Sequence, residues 1–80
     1  MRTNKVLIVE NHVIVRQGIR ALLSNREDLE VVAEAVDGRD ALRLALETQP
    51  DVILMDIRMP NLNGIDACRQ IVRELPSTRV

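Results

Sequence analysis

The sequence contains no tryptophan, tyrosine or phenylalanine and a single cysteine, Cys68. Without aromatic rings the chain has no base-stacking platform and no aromatic ligand cage, so we expect a core of aliphatic side chains. One cysteine allows neither an internal disulfide nor a cysteine–histidine zinc cluster, which predicts a cytoplasmic protein. Three glycines, three prolines and 46% hydrophobic residues argue against disorder or a fibrous repeat. Any chemistry must therefore come from charged and polar groups.

An excess of charge of one sign is also absent. Eleven Lys and Arg residues are interspersed with 12 Asp and Glu residues, and the net charge is −1. This balance disfavours direct nucleic-acid binding and a membrane-surface patch. The longest apolar runs, at 6–9 and 52–55, are far shorter than the roughly 20 residues of a membrane helix. We expect one domain over residues 1–80 that neither enters a membrane nor is exported.

Apolar residues follow an alternation of short strands and amphipathic helices. The runs at 6–9 and 52–55 each lead into a carboxylate and are typical of strands buried on both faces, whereas the less apolar segment 29–36 suits an edge strand. Asp37 is the expected N-cap of the second helix. Apolar residues at helical spacing predict three helices with these buried stripes: Val15, Ile19, Leu22 and Leu23; Ala41, Leu42, Ala45 and Leu46; Ile65, Cys68, Ile71, Val72 and Leu75. Solvated helix exteriors are expected for Arg16, Arg20, Arg39, Arg43, Arg69 and Arg73.

This alternation predicts an α/β fold with a doubly wound, flavodoxin-like parallel sheet. The chain supplies three strand–helix units, and right-handed crossovers favour the strand order 2-1-3. The carboxyl ends of the first and third strands then meet at the switch point where such sheets bind ligands. We therefore expect Glu10 and Asp56 to face each other there.

Two carboxylates at one place repel each other unless a cation or a hydrogen-bond donor lies between them. Mg²⁺ prefers oxygen ligands and is usually held by one or two carboxylates together with phosphate oxygens. Glu10, Asn11 and Asp56 are the candidate ligands. Because phosphoryl transfer depends on placement and charge neutralisation, Asp56 is the candidate nucleophile.

Three stretches carry a resemblance to a known family: VLIVENH at 6–12, VRQGIRALL at 15–23, and VILMDIRMP at 52–60 followed by Gly64. They resemble the CheY-like receiver domains of two-component response regulators, over the whole chain. The first helix looks especially like the subgroup that carries a LuxR-type helix-turn-helix output domain.

The resemblance implies that Asp56 takes a phosphoryl group from a sensor histidine kinase, in a phosphorelay linked to transcription regulation. It implies that Glu10 holds Mg²⁺ through water and that the backbone carbonyl of Arg58 is another Mg²⁺ ligand. It also implies that the turn from Pro60 to Gly64 shapes the phosphate loop.

The chain departs from the family pattern in two ways. Receivers usually carry two adjacent Asp residues after the first strand, whereas this chain has Glu10 and Asn11, so we expect a lower Mg²⁺ affinity. The family fold also continues for two further strands and helices, which bear a Ser or Thr and a Lys that contact the phosphoryl group. We expect a chain truncated after the third helix, with the third strand as an exposed edge that favours a homodimer or a domain swap.

Two other functions stay open. The chain could be an interaction module, incompetent for phosphorylation, that binds a kinase or a full-length regulator. A metal-dependent phosphatase with an aspartyl nucleophile is disfavoured, because Arg58 stands where that class needs an acidic residue. We expect no enzyme in the usual sense. Outside the site, Asn11 could cap the first helix, His12 is interpreted as a surface or capping residue, and Cys68 as a core thiol.

Overall fold

A computed structural model describes residues 3–56 and 64–80. Its elements alternate in the predicted order. They are β1 (Asn4–Val9), α1 (Val13–Ser24), β2 (Leu29–Ala35), α2 (Gly38–Thr48), β3 (Val52–Met55) and α3 (Gly64–Glu74). None of the helices in these described ranges is long and apolar enough to cross a membrane.

The three strands form one parallel sheet with the order β2-β1-β3. This confirms the predicted flavodoxin-like arrangement of three strand–helix units. β1 is central, which explains why its four apolar residues are fully buried, and β2 is the predicted edge strand. The far side of β3 is not bare along its whole length, however. Arg79 forms a parallel bridge with Val52, because Ile53 N–H donates to the Arg79 carbonyl at 2.7 Å and Arg79 N–H donates to the Asp51 carbonyl at 3.0 Å.

The larger part of the core lies on one face of the sheet. The connection from β1 to β2 crosses the sheet in one direction, and the connection from β2 to β3 crosses it in the other. Because both connections are right-handed, α1 lies on one face of the sheet and α2 lies on the opposite face. The third helix, α3, lies on the same face as α2. The second of these faces is the tightly packed one, and it contains Leu7, Val9, Ala35, Ala41, Ala45, Ile53 and Ile71.

On the face of the sheet that α1 covers, apolar side chains are more exposed than the apolar pattern predicts. Leu22 is 74% exposed and Val15 is 48% exposed, and no residue of α1 is fully buried. Leu54 on β3 is 40% exposed, because α1 lies over β1 and β2 and does not reach it. The predicted stripe of α1 is therefore wrong at two positions.

The stripe predicted for α3 needs a similar correction. Ile65 and Val72 are half exposed, and Cys68 is only partly buried. Ile71 is fully buried as predicted, and Ala67, which is also fully buried, completes the inner face. Ile71 belongs to the core cluster, and α3 also packs against α2.

An irregularity in β2 decides which of its side chains face α1. Val6 pairs with Val31, but the next residue of β1, Leu7, pairs with Ala33, so Val32 is an extra residue in β2. Because side chains alternate between the two faces of a strand, one extra residue exchanges the faces of all residues beyond it. Ala33 and Ala35 therefore join the core with α2 and α3, and Glu34 faces α1.

Local hydrogen bonds define the ends of α2. Its first turn is capped as predicted, because Asp40 N–H donates to the Asp37 carboxylate at 2.8 Å. The helix is followed by the C-cap residue Gln49, which is left-handed with φ 48° and directly precedes Pro50. Proline disfavours the helical conformation in the residue that precedes it, so the chain turns here into β3.

Candidate functional site

The candidate site lies at the carboxyl edge of the sheet, where β1 and β3 end side by side. Asp56 N–H donates to the Val9 carbonyl at 3.0 Å, and Glu10 N–H donates to the Ala35 carbonyl at 3.0 Å. Within the described residues, these hydrogen bonds lie where the strands end at this edge. They hold the two acidic residues next to each other, although 46 positions separate them in the sequence.

Three potential ligands meet at this edge. One carboxylate oxygen each from Glu10 and Asp56 and one ring nitrogen of His12 lie within 4.8 Å of one another. The proximity of Glu10 and Asp56 that the topology predicts is therefore observed. Sequence reasoning placed His12 outside the site, and the structure places it inside.

Glu10 is held firmly at its carboxylate. Its side chain is only 9% exposed, and its Oε1 accepts hydrogen bonds from the His12 backbone N–H at 3.0 Å and from His12 Nδ1–H at 2.7 Å. Because an ionised carboxylate can only accept, Nδ1 is the ring nitrogen that carries the proton in this contact. His12 is also the N-cap residue of α1, so the helix start brings both donors to Glu10.

Asn11 and the backbone carbonyl of Arg58 are the two further predicted Mg²⁺ ligands. Asn11 is exposed and follows Glu10 directly at the edge of the sheet. The idea that Asn11 caps α1 is wrong, because His12 occupies the N-cap position. Arg58 and the turn from Pro60 lie outside the described residues, although Gly64 begins α3.

The donor set fits a small, oxygen-seeking cation. With bonds of about 2.0–2.1 Å in an octahedron, neighbouring ligand oxygens lie about 3 Å apart and opposite ones about 4 Å apart. The separations of up to 4.8 Å at this site need only a small closure to reach those values. Glu10 and Asp56 thus suit Mg²⁺, whereas the imidazole of His12 is better suited to orienting Glu10 than to binding Mg²⁺.

Arg16 contacts the candidate site, although the sequence did not predict this contact. Arg16 was expected on the solvated exterior of α1, yet its side chain is only 17% exposed. Its Nη1 donates to the Glu10 carbonyl at 2.9 Å, and its Nε lies 3.2 Å from Oε1 of Glu34. Helical spacing could not reveal this contact, because Glu34 faces α1 only through the extra residue in β2.

Comparison with known proteins agrees with the fold described above. Residues 6–80 match the response regulator receiver domain family. The chain belongs to this family. The receiver domain is 46% identical over 76 residues both to the transcriptional regulatory protein LiaR of Bacillus subtilis and to the response regulator GacA of Pseudomonas aeruginosa. Each match covers 95% of this chain and 36% of the relative.

The solved structures agree with these relatives. A crystal structure of a LuxR-family two-component response regulator from Aurantimonas superposes with a TM-score of 0.90 at 42% identity. That match covers 96% of this chain and 55% of the other. The resemblance to the LuxR-type subgroup is thereby confirmed. The receiver domain spans about a third of the length of the curated relatives it matches.

Proposed function

We propose that Asp56 is a phosphoacceptor that takes a phosphoryl group from a phosphohistidine of a sensor histidine kinase. The observation that supports this proposal is the meeting of Asp56 and Glu10 at the carboxyl ends of two adjacent strands, within a chain of the receiver family. In this role the domain would form part of a cytoplasmic phosphorelay that regulates transcription. It would accept a group rather than turn over a substrate.

The reaction needs only one nucleophile from this chain. An Asp56 carboxylate oxygen attacks phosphorus as the bond from phosphorus to the kinase imidazole nitrogen breaks, and the imidazole keeps the electron pair and takes up a proton. Glu10 and Asp56 would hold Mg²⁺, with Asn11 and the backbone carbonyl of Arg58 as further oxygen ligands. When bound, Mg²⁺ would neutralise charge on the phosphoryl oxygens.

Glu10 and His12 contribute through position rather than through bond formation. The two hydrogen bonds from His12 hold one Glu10 oxygen, and the buried setting of Glu10 strengthens its electrostatic effect on a nearby cation. The second Glu10 oxygen is the one that would face a metal-bound water. Asp56 is half-buried and thus less shielded from an incoming phosphoryl donor.

The proposal is tested by phosphorylation with a small donor. The chain is incubated with acetyl phosphate and Mg²⁺, and intact mass is measured. We expect the mass of one added phosphoryl group, and we expect Asp56→Asn to abolish it. Asp51→Asn is the matched control, because Asp51 lies at the opposite end of β3 and accepts a hydrogen bond from Lys5 N–H at 2.7 Å.

Two results would contradict a phosphoacceptor role. One is a wild-type chain that gains no phosphoryl mass and also shows no bound beryllium fluoride by ¹⁹F NMR. This result would support the alternative of a phosphorylation-incompetent interaction module. The neutral side chain of Asn11 is the observation that favours that alternative, because the edge then offers one carboxylate fewer. Release of inorganic phosphate over many turnovers from phosphomonoesters would instead support a phosphatase.

We also propose a second kind of partner, another copy of this chain. After the bridge to Arg79, β3 presents the half-exposed Leu54 on the face of the sheet that α1 covers only in part. A strand edge next to apolar surface favours pairing with a further chain. A homodimer or a domain swap through β3 would cover it.

A further inference from the structure

Arg16 joins three elements of the receiver domain in one contact network. Its guanidinium donates from Nη1 to the Glu10 carbonyl and approaches the Glu34 carboxylate through Nε. The first partner belongs to the candidate metal site after β1, and the second belongs to β2. Because Arg16 itself lies at the end of the first turn of α1, it connects this helix to both strands.

We propose that Arg16 is a positioning residue that sets the orientation of Glu10 toward the metal ion. This inference rests on the proposed function only for the identity of the ion. The structural part of the proposal is that the Glu10 carboxylate loses its fixed direction when Arg16 is removed.

The backbone of Glu10 is pinned on both sides. Its N–H donates to the Ala35 carbonyl at 3.0 Å, and its C=O accepts from Arg16 at 2.9 Å. With both peptide groups fixed, the direction of the Cα–Cβ bond is fixed as well, and only side-chain torsions remain. The peptide between Glu10 and Asn11 also determines where the next residues begin, including the His12 N–H that donates to Glu10 Oε1.

Arginine is suited to this task by its shape. Its planar guanidinium presents several N–H donors in a rigid fork, so one donor can serve a carbonyl while another serves a carboxylate. A lysine carries the same charge but only one flexible ammonium group. The Glu34 carboxylate thus fixes the plane of the guanidinium, and the guanidinium in turn fixes the Glu10 peptide.

Arg20 provides a matched control on the same helix. It lies one turn after Arg16 and reaches the other oxygen of Glu34, and its side chain is 54% exposed. Arg16→Gln and Arg20→Gln therefore remove the same charge from α1 and each remove one ion pair with Glu34. Only the first removes the hydrogen bond to the Glu10 carbonyl.

The experiment is a Mg²⁺ titration of the 80-residue chain, followed by ¹H–¹⁵N NMR at the amides of His12 and Asp56. Loss of a group that orients a metal ligand typically weakens metal binding by about 10- to 100-fold. We expect Arg16→Gln to raise the dissociation constant at least about tenfold and Arg20→Gln to change it less than about twofold. We expect Arg16→Lys to bind Mg²⁺ as weakly as Arg16→Gln, because lysine restores the positive charge but not the planar guanidinium with its several donors.

¹H–¹⁵N spectra recorded without Mg²⁺ test separately whether Arg16 fixes the orientation of Glu10. We expect the His12 amide signal to shift in Arg16→Gln and to stay in place in Arg20→Gln, with both variants folded by circular dichroism. An unmoved His12 signal, equal losses of Mg²⁺ affinity in the two glutamine variants, or full rescue by lysine would overturn the positioning role. If the wild-type chain binds no Mg²⁺, the proposed metal site fails, and the His12 signal still decides the role of Arg16.

Discussion

Asn11 determines how much negative charge the candidate site carries. It is exposed at the edge of the sheet, between Glu10 and His12. The carboxylates that the structure brings together there are those of Glu10 and Asp56. A neutral amide oxygen can bind a cation, but it adds no charge to attract one. The charge at this single position should therefore set the affinity of the site for Mg²⁺.

Substitution Asn11→Asp should tighten Mg²⁺ binding. A unit charge about 4 Å from a divalent ion in water contributes on the order of 1 to 2 kcal/mol, equivalent to a roughly 5- to 30-fold lower dissociation constant. The measurement is isothermal titration calorimetry with Mg²⁺. Asn4→Asp is the control, because it makes the same change at the opposite end of β1. Equal tightening in both variants would show that net charge, rather than position, is responsible.

Among the elements, α2 has the best-defined start. Asp37 has extended backbone geometry and accepts a hydrogen bond from Asp40 N–H at 2.8 Å, which satisfies one of the amides left open at a helix N-terminus. The buried residues Ala41 and Ala45 then pack against the sheet. The cap thus fixes where this small-residue face begins.

Replacing Asp37 with alanine should destabilise the fold by about 1 kcal/mol, the usual cost of losing such a cap. Urea denaturation followed by circular dichroism measures the change. Glu47→Ala removes an equal charge from the same helix, where Glu47 makes an exposed pair with Arg43 at 3.5 Å. We expect that control to change stability by less than about 0.5 kcal/mol. A cap variant as stable as the control would contradict this account.

The elements also show how far sequence reasoning reaches. β1, β3 and α2 could be predicted, because continuous apolar runs and a capping Asp37 are local signals. The meeting of Glu10 and Asp56 followed from topology alone. The register of β2 could not be predicted, since the extra Val32 depends on how that strand pairs with β1. Without that register, the contact of Arg16 with Glu34 could not be predicted either.

At the scale of the whole molecule, the two faces of the sheet are unequally covered. Two helices pack on one face and a single helix on the other, in a body only 16 Å thick along its shortest axis. The periodicity of α1 predicted a buried stripe, but burial depends on what covers the helix, and a pattern within α1 does not contain that information. The exposed Leu54 marks the uncovered part of this face.

Self-association through this face should weaken in Leu54→Ser. Burial of a leucine side chain contributes roughly 1.5 to 3 kcal/mol, so we expect the dimer dissociation constant to rise at least about tenfold. Sedimentation equilibrium over a range of concentrations measures it. Val72→Ser is the control, because Val72 is half exposed on α3, across the sheet. A wild-type chain that stays monomeric throughout, or a control that weakens association equally, would contradict the proposed dimer.

The extra residue in β2 makes that strand sensitive to length rather than to composition alone. Deleting Val32 would make Ala33 follow Val31 directly, so Ala33 would still pair with Leu7 and Glu34 with Ile8, and the two faces of β2 would keep their side chains. One residue inserted between Ala33 and Glu34 would instead turn the Glu34 carboxylate toward the aliphatic core, and Arg16 would lose its partner on β2. Insertions beyond the extra residue should therefore be tolerated far less than substitutions or the loss of Val32.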